Sequence, residues 1–404
     1  MSANLAQSAL RVPHSRIREL AEVAMAMDAS AARPEDRVLK LYFGESNVPT
    51  PDFIKRAAQK AMADGYTFYT ENAGLPSLRK ALSRYYAETQ GLELDPDREI
   101  VITASGVQAL NVGIRCVLDP GDHAIVLTPA WPNGSAIVQM CNAEVTQLAQ
   151  PLQGDRYTVD FEALEAAVTP RTKLLLYTSP SNPLGWVATL EEQQKLLDFT
   201  RRHGLWLMAD EVYERLYYPP NGALGSAVPS ILKLATREDA VMVVQSFSKA
   251  WCMTGWRLGW LVSRRDLCAR ATQLNEFIIS HAPSMAQRAA ETALLWGEEA
   301  VKELLLRLKQ NRDLCLAYLA KIPGVTVPKP DGAFYVFPKI AGMTDSFGFC
   351  KQLLMDTKVG LAPGVAFGEG GEGSIRICYA AETAILEQAL PKIGGFIGGY
   401  RPPR

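Results

Sequence analysis

Residues 240–263 read AVMVVQSFSKAWCMTGWRLGWLVS. An apolar, β-branched run ends at Ser246, a polar turn follows, and a second apolar run, WRLGWLVS, leaves from Trp256. One lysine, Lys249, stands in the turn with Ser246 and Ser248 beside it, and Arg257 follows between Gly255 and Gly259. A lysine just past an apolar strand, with hydroxyls and a guanidinium close in sequence, is equipped to form an imine beside a phosphate group. Arginine suits phosphate because its planar fork donates two parallel hydrogen bonds. The plainer reading is a strand-end lysine turned to solvent, and spacing alone leaves the two about equal.

Outward from this stretch, short apolar β-rich runs recur: EIVITASG (99–106), HAIVLTPA (123–130), KLLLYTSP (173–180) and LWLMADEVY (205–213). Amphipathic helical patterns alternate with them, such as PDFIKRAAQKAMADG (51–65), PSLRKALSRYYAETQG (76–91) and VQALNVGIRCVL (107–118). Continuous apolar strands alternating with helices predict an α/β fold whose sheet is mostly parallel and buried on both faces. The chemically unusual residues sit just past these strands, where open α/β sheets bind ligands. After about residue 300 the pattern changes to a long helical stretch (298–322), then FYVFPKI (334–340) and SIRICYA (374–380) near a Gly-rich loop. The expected organisation is a large domain over 41–300. A smaller α+β domain is expected from 301–404 with 1–40, the N-terminus lying on it as an arm.

The 404 residues are enough for more than one domain. With 48% hydrophobic and 21% charged residues and a formal net charge of -1, neither a nucleic-acid surface nor a polybasic membrane patch is indicated. No apolar run reaches the roughly 18 residues of a membrane-spanning helix, and the N-terminus lacks the apolar core of a secretory signal. Seven scattered cysteines without a CxxC pair read as reduced core thiols in a cytoplasmic protein. The four histidines (14, 123, 203, 281) have no metal-ligand spacing, so no metal site is expected.

Eight segments occur in a recognisable order: YTENAGLPSLRKAL, TASGVQALNVG, PAWPNG, TSPSNPLG, ADEVYERLYY, SFSKAWCMTGWRLG, PGVAFGEGG and SIRICYA. Each alone is weak, but together, over nearly the full length, the chain resembles the class I aminotransferases of fold type I. Those enzymes are aspartate-aminotransferase-like and use pyridoxal 5'-phosphate. The resemblance implies that Lys249 carries the cofactor as an imine. Asp210 would pair with the pyridinium nitrogen and keep the ring an electron acceptor; its plainer reading is a helix N-cap at a strand end. Tyr213 and Asn182 would hydrogen-bond the phenolic oxygen, where otherwise they read as a core tyrosine and a turn.

Phosphate would rest on Ser105, Gly106 and Val107 at a strand-to-helix junction, whose free N–H groups and helix dipole favour an anion. Ser246, Ser248 and Arg257 would complete the cradle. Trp131 corresponds to an aromatic stacked on the ring, though a tryptophan after a strand is otherwise usually core. Tyr69 matches a tyrosine that reaches the phosphate of a neighbouring subunit, which implies a homodimer with shared active sites. Arg376 would grip the substrate α-carboxylate, where an exposed strand-edge charge is the alternative. Asn182, Trp131 and Gly44 would also border the substrate, Gly44 on the weakest match, because GESNVPTP departs from the commoner form of that loop.

The resemblance thus implies a transaminase moving an amino group between an L-amino acid and a 2-oxo acid by ping-pong kinetics. The pair would be aspartate or a related amino acid with 2-oxoglutarate or pyruvate, in amino-acid metabolism or biosynthesis. Some members that take acidic substrates carry a lysine where this chain has Val107, which removes one route to a side-chain carboxylate. A C–S β-lyase would need the same Lys249, Asp210 and Arg376. A non-enzymatic effector-binding module is a third reading, disfavoured by the short segment ahead of the first match and the absence of net basic charge.

Overall fold

The computed structural model describes residues 5–220 and 224–400; residues 1–4, 221–223 and 401–404 of the expected arm and domains lie outside it. The opening stretch folds as two strands, Val241–Ser246 and Gly259–Ser263, paired antiparallel with Gly259 opposite Ser246. The second apolar run was expected from Trp256 onward. It becomes a strand only at Gly259, because Thr254–Trp256 closes a 3-10 turn and Arg257 adopts a left-handed conformation (φ 53°).

These two strands belong to a seven-stranded sheet. In chain order its members are β1 (Ile100–Thr103), β2 (His123–Thr128), β3 (Glu144–Ala149), β4 (Thr172–Thr178), β5 (Trp206–Asp210), β6 (Val241–Ser246) and β7 (Gly259–Ser263). Their spatial order is β1-β7-β6-β5-β4-β2-β3. Strands β3, β2, β4, β5 and β6 pair in parallel, and β7 alone runs against its neighbours β1 and β6.

The period-two geometry of a strand sends alternate side chains to opposite faces, and here both faces are core. Ile125, Leu175, Leu207, Val243 and Trp260 enter one apolar cluster, while Val126, Leu176, Met208, Val244 and Leu261 enter the other. This explains why the runs are continuously apolar rather than alternating. The apolar character stops at the strand ends: β4, β5 and β6 finish on Thr178, Asp210 and Ser246. Because these three are parallel neighbours, their polar ends lie along one edge of the sheet.

Past the helix Glu298–Leu319, a small antiparallel sheet places Ile375–Cys378 between Tyr335–Val336 and Ala362–Pro363. FYVFPKI is two short strands rather than one, Tyr335–Val336 and Lys339–Ile340, with Pro338 between them unable to donate a ladder hydrogen bond. The N-terminal segment is more than an arm. Helix Arg16–Ala29, capped by Ser15, buries Leu20, Ala21 and Ala24 and packs on helix Ser346–Thr357. Strand Leu39–Lys40 then pairs with Val359–Gly360.

Candidate active site

Lys249 lies three residues past β6, and its side chain runs back across the strand ends into a buried space. Its Nζ donates to the carbonyl of Gly44 at 2.6 Å and lies 5.5 Å from the Tyr213 ring centre and 5.8 Å from that of Phe334. The solvent-facing reading of this lysine is therefore wrong. Burial pushes the amine down to about 8, against smaller upward pulls from Cys378, Glu45 and Asp210. Only the neutral amine attacks a carbonyl carbon. Covalent uptake of an aldehyde by the empty site is thus expected to quicken about tenfold per pH unit up to about pH 8 and then level off. Stopped-flow absorbance across the alkaline range checks this, and a midpoint near the ordinary 10.5 would show the amine to be hydrated.

Asp210 ends β5, the central strand, and is followed by a turn, so it caps no helix. Its carboxyl is buried and accepts a long hydrogen bond from the Val212 N–H, at 3.4 Å. Burial raises it to about 7, opposed by that hydrogen bond and by Lys249. A buried acid this poorly matched is suited to a cationic partner. Glu211 and Glu214, raised by burial to about 8 and 7, make this one of three buried carboxyl groups in the turn after β5.

Arg376 sits on the central strand of the small sheet and is buried, not an edge charge. Its NH1 donates to Asn182 Oδ1 at 2.8 Å and its NH2 to the carbonyl of Tyr42. The guanidinium lies over Tyr335 at 4.5 Å and Phe367 at 4.9 Å, and its Nε has no hydrogen-bond partner among the described residues. A buried guanidinium with an unmet N–H and no facing carboxylate is a site for an incoming one. Because Asn182 spends its oxygen on Arg376, its amide N–H group remains to donate elsewhere.

At the opposite end, Ser105 (φ 103°) caps helix Gly106–Arg115 by accepting from Gln108 N at 3.4 Å, which still leaves its hydroxyl proton to donate. Gly106 packs against Ser246, whose hydroxyl is 2.9 Å from that of Ser248. A side chain at Gly259 would strike Gly106 N at 2.6 Å, so glycine there lets β7 approach the helix start. Val107 is half-buried on the first turn. Arg257 is exposed, its NH1 donating to Thr254 O at 2.7 Å.

Lys249 thus meets Gly44 and Tyr213, Arg376 meets Asn182, and Tyr335 links the two sets by touching both Tyr213 and Arg376, while Ser105, Gly106, Ser246 and Ser248 form a second group. Trp131 is half-buried after β2 and packs on the second apolar cluster. Tyr69 is 89% exposed, edge-on to His281 at 5.7 Å, and has no contact with either group. Sequence reading missed Tyr335 and Tyr42. Tyr335 Oη lies 2.7 Å from Tyr213 Oη, and the only local signal was the aromatic pair Phe334–Tyr335.

A lysine amine able to form an imine with an aldehyde, a buried acid, a buried arginine with an unmet N–H and an anion-suited helix start fit pyridoxal phosphate. Comparison with known proteins agrees. The family described as aminotransferase class I and II matches residues 37–393. A putative aminotransferase, YugH, from Bacillus subtilis is 34% identical over 98% of this chain and 99% of its own. The aspartate aminotransferase of Geobacillus stearothermophilus is 34% identical over 89% of this chain and 91% of its own. Among solved structures, the aspartate aminotransferase of Rhizobium meliloti superposes with a TM-score of 0.89 at 32% identity, covering 98% of this chain and 99% of that one. Members of this family use pyridoxal 5'-phosphate. Likeness of this length and degree, over a fold that brings a buried lysine, acid and arginine to one sheet edge, shows that the chain belongs to the class I and II aminotransferases and is a transaminase.

Proposed function

We propose that Lys249 carries the cofactor and also moves the substrate Cα proton, its low amine pKa fitting it for both tasks. When bound, pyridoxal phosphate supplies the electron sink that acidifies the Cα–H bond. Asp210 faces the ring nitrogen, and Asn182 and Tyr213 donate to the phenolic oxygen. Ser105, Gly106, Val107, Ser246, Ser248 and Arg257 hold the phosphate, with Trp131 on the ring face. Arg376 orients the α-carboxylate, with Gly44, Asn182 and Trp131 bordering the substrate. The observation that carries this reading is the unmet N–H of buried Arg376 in the same contact network as the Lys249 amine.

The substrates we propose are aspartate or a related amino acid with 2-oxoglutarate or pyruvate, in ping-pong order; aspartate is supported by the names of two of the relatives above. A homodimer with shared sites is supported by a bare apolar surface at Phe68, Tyr69, Phe277, Ile278 and Ile279, with Phe277 87% exposed. The division into a 41–300 unit and a unit of 1–40 with 301–404 is supported by the pairing of Leu39–Lys40 with Val359–Gly360. A cytoplasmic place in amino-acid metabolism suits this chemistry. No helix among the described residues is long and apolar enough to cross a membrane.

Single-turnover absorbance of the cofactor-loaded protein with a panel of amino donors tests the reading. Aspartate or glutamate is expected to convert the bound cofactor to its amino form and release an equimolar oxo acid. A 2-oxo acid is then expected to restore the starting spectrum. Thiol release from cystathionine without amino-group transfer would instead mark a β-lyase, and no conversion by any donor would mark a binding module.

A further inference from the structure

We propose that Tyr335 is a positioning residue that joins the two working ends of the site. Its hydroxyl fixes the Tyr213 hydroxyl, and its ring backs the Arg376 guanidinium. This rests on the roles proposed above for Tyr213 and Arg376.

Three contacts place the residue. Tyr335 Oη and Tyr213 Oη are 2.7 Å apart, both fully or nearly fully buried. The Arg376 guanidinium carbon lies 4.5 Å from the centre of the Tyr335 ring. The same hydroxyl oxygen would stand 2.5 Å from a Cβ at Gly44, whose carbonyl accepts a hydrogen bond from Lys249 Nζ at 2.6 Å. One side chain therefore touches the residue before the loop, the carboxylate clamp and the phenol-side donor.

The direction of the tyrosine pair follows from the work each must do. Tyr213 serves the cofactor by donating its proton to the phenolic oxygen, so within the pair it accepts and Tyr335 donates. A hydroxyl that accepts one hydrogen bond becomes a stronger donor in the next. Tyr335 thus strengthens Tyr213 and holds its oxygen in place. The ring has a separate task. Stacked under the guanidinium, it holds the fork's plane and satisfies a buried cation that has no carboxylate of its own. The charged or titratable groups facing Tyr213 and Tyr335 are Arg376, Asp210, Cys378 and Lys249; Tyr335→Phe leaves all four in place and keeps the ring under Arg376, whereas Tyr335→Leu removes that ring.

The test separates hydroxyl from ring. In Tyr335→Phe the pH midpoint of the absorbance change of the lysine-bound cofactor is expected to rise by about 0.5 to 1 unit, because the hydrogen bond that Tyr213 donates to the phenolic oxygen weakens. The donor KM is expected to stay within about twofold and kcat to fall about three- to tenfold. In Tyr335→Leu, which removes the ring, the donor KM is expected to rise about tenfold as well. A Tyr213→Phe background decides whether Tyr335 acts through Tyr213: adding Tyr335→Phe there is expected to move the midpoint no further. A Tyr335→Phe midpoint and kcat equal to wild type overturn the assignment, as does an undiminished further shift in the Tyr213→Phe background. Absence of a lysine-bound chromophore in the wild-type protein would overturn the underlying reading as well, whereas a normal wild-type spectrum with an unmoved variant overturns this assignment alone.

Discussion

Lys249→Ala is expected to lower transamination by about 10⁴-fold or more and to abolish the absorbance of lysine-bound cofactor. Acid–base catalysis by one placed group contributes about 10²- to 10⁴-fold, and here the same amine also provides covalent attachment. Nothing nearby replaces it. The groups around its Nζ are the Gly44 carbonyl, the rings of Tyr213 and Phe334 and, acting through their fields, Cys378, Arg376, Glu45 and Asp210, none of which is an amine able to form an imine. The variant sheds a buried amine whose charged form is already disfavoured, so loss of charge brings no electrostatic penalty to the fold. Lys249→Arg keeps the stem and a cation but offers no neutral amine, and it is expected to be equally inactive. Steady-state turnover with the absorbance spectrum of each variant checks this. Lys249→Ala working at the wild-type rate would refute the role given to the lysine.

What the sequence made legible was what has a local signature. The strands announced themselves because their residues serve two cores at once, as Ile125 beside Val126 and Leu207 beside Met208 do. Lys249, Asp210 and Ser246 were visible as polar residues closing apolar runs. Arg376 was found by its motif, and only the fold shows that it is buried rather than on an edge.

Other features leave no such trace. The reversed direction of β7 depends on the turn at Thr254–Arg257, since an apolar pentapeptide reads the same in either direction. The Tyr213–Tyr335 pair spans 122 positions, too far for any periodicity to report. The union of the N-terminal helix with the C-terminal sheet is of the same kind. Tyr69 shows the limit from the other side. Its motif was clear, yet in a single chain it faces no site residue, because the work proposed for it needs a second subunit.

Asp210→Asn is expected to separate catalysis from stability. The side chains have nearly the same shape, and the amide oxygen can still accept from Val212 N. What is lost is the negative charge facing the ring nitrogen. Breaking a buried ion pair by removing one partner costs about 3–5 kcal/mol, so turnover is expected to fall about 10²- to 10⁴-fold. The donor KM should change far less, because Arg376 and Asn182 are untouched.

In the cofactor-free protein the effect on the fold has the opposite sign. Burial raises the Asp210 carboxyl from 3.8 to about 7, so between those values the folded chain holds a proton that the unfolded chain has released. Stability from this group is therefore fully present below about pH 4 and is lost as pH rises through about 7. Asparagine carries no such dependence. The cofactor-free variant is thus expected to melt at a higher temperature than wild type at pH 8, with the gap closing toward pH 5. Thermal denaturation of both proteins across this range, beside their turnover numbers, is the measurement. A variant less stable than wild type at pH 8 would mean that the empty site already supplies Asp210 with a cation. Lys249, which pulls the Asp210 carboxyl downward, is the group whose protonation would then need to be measured.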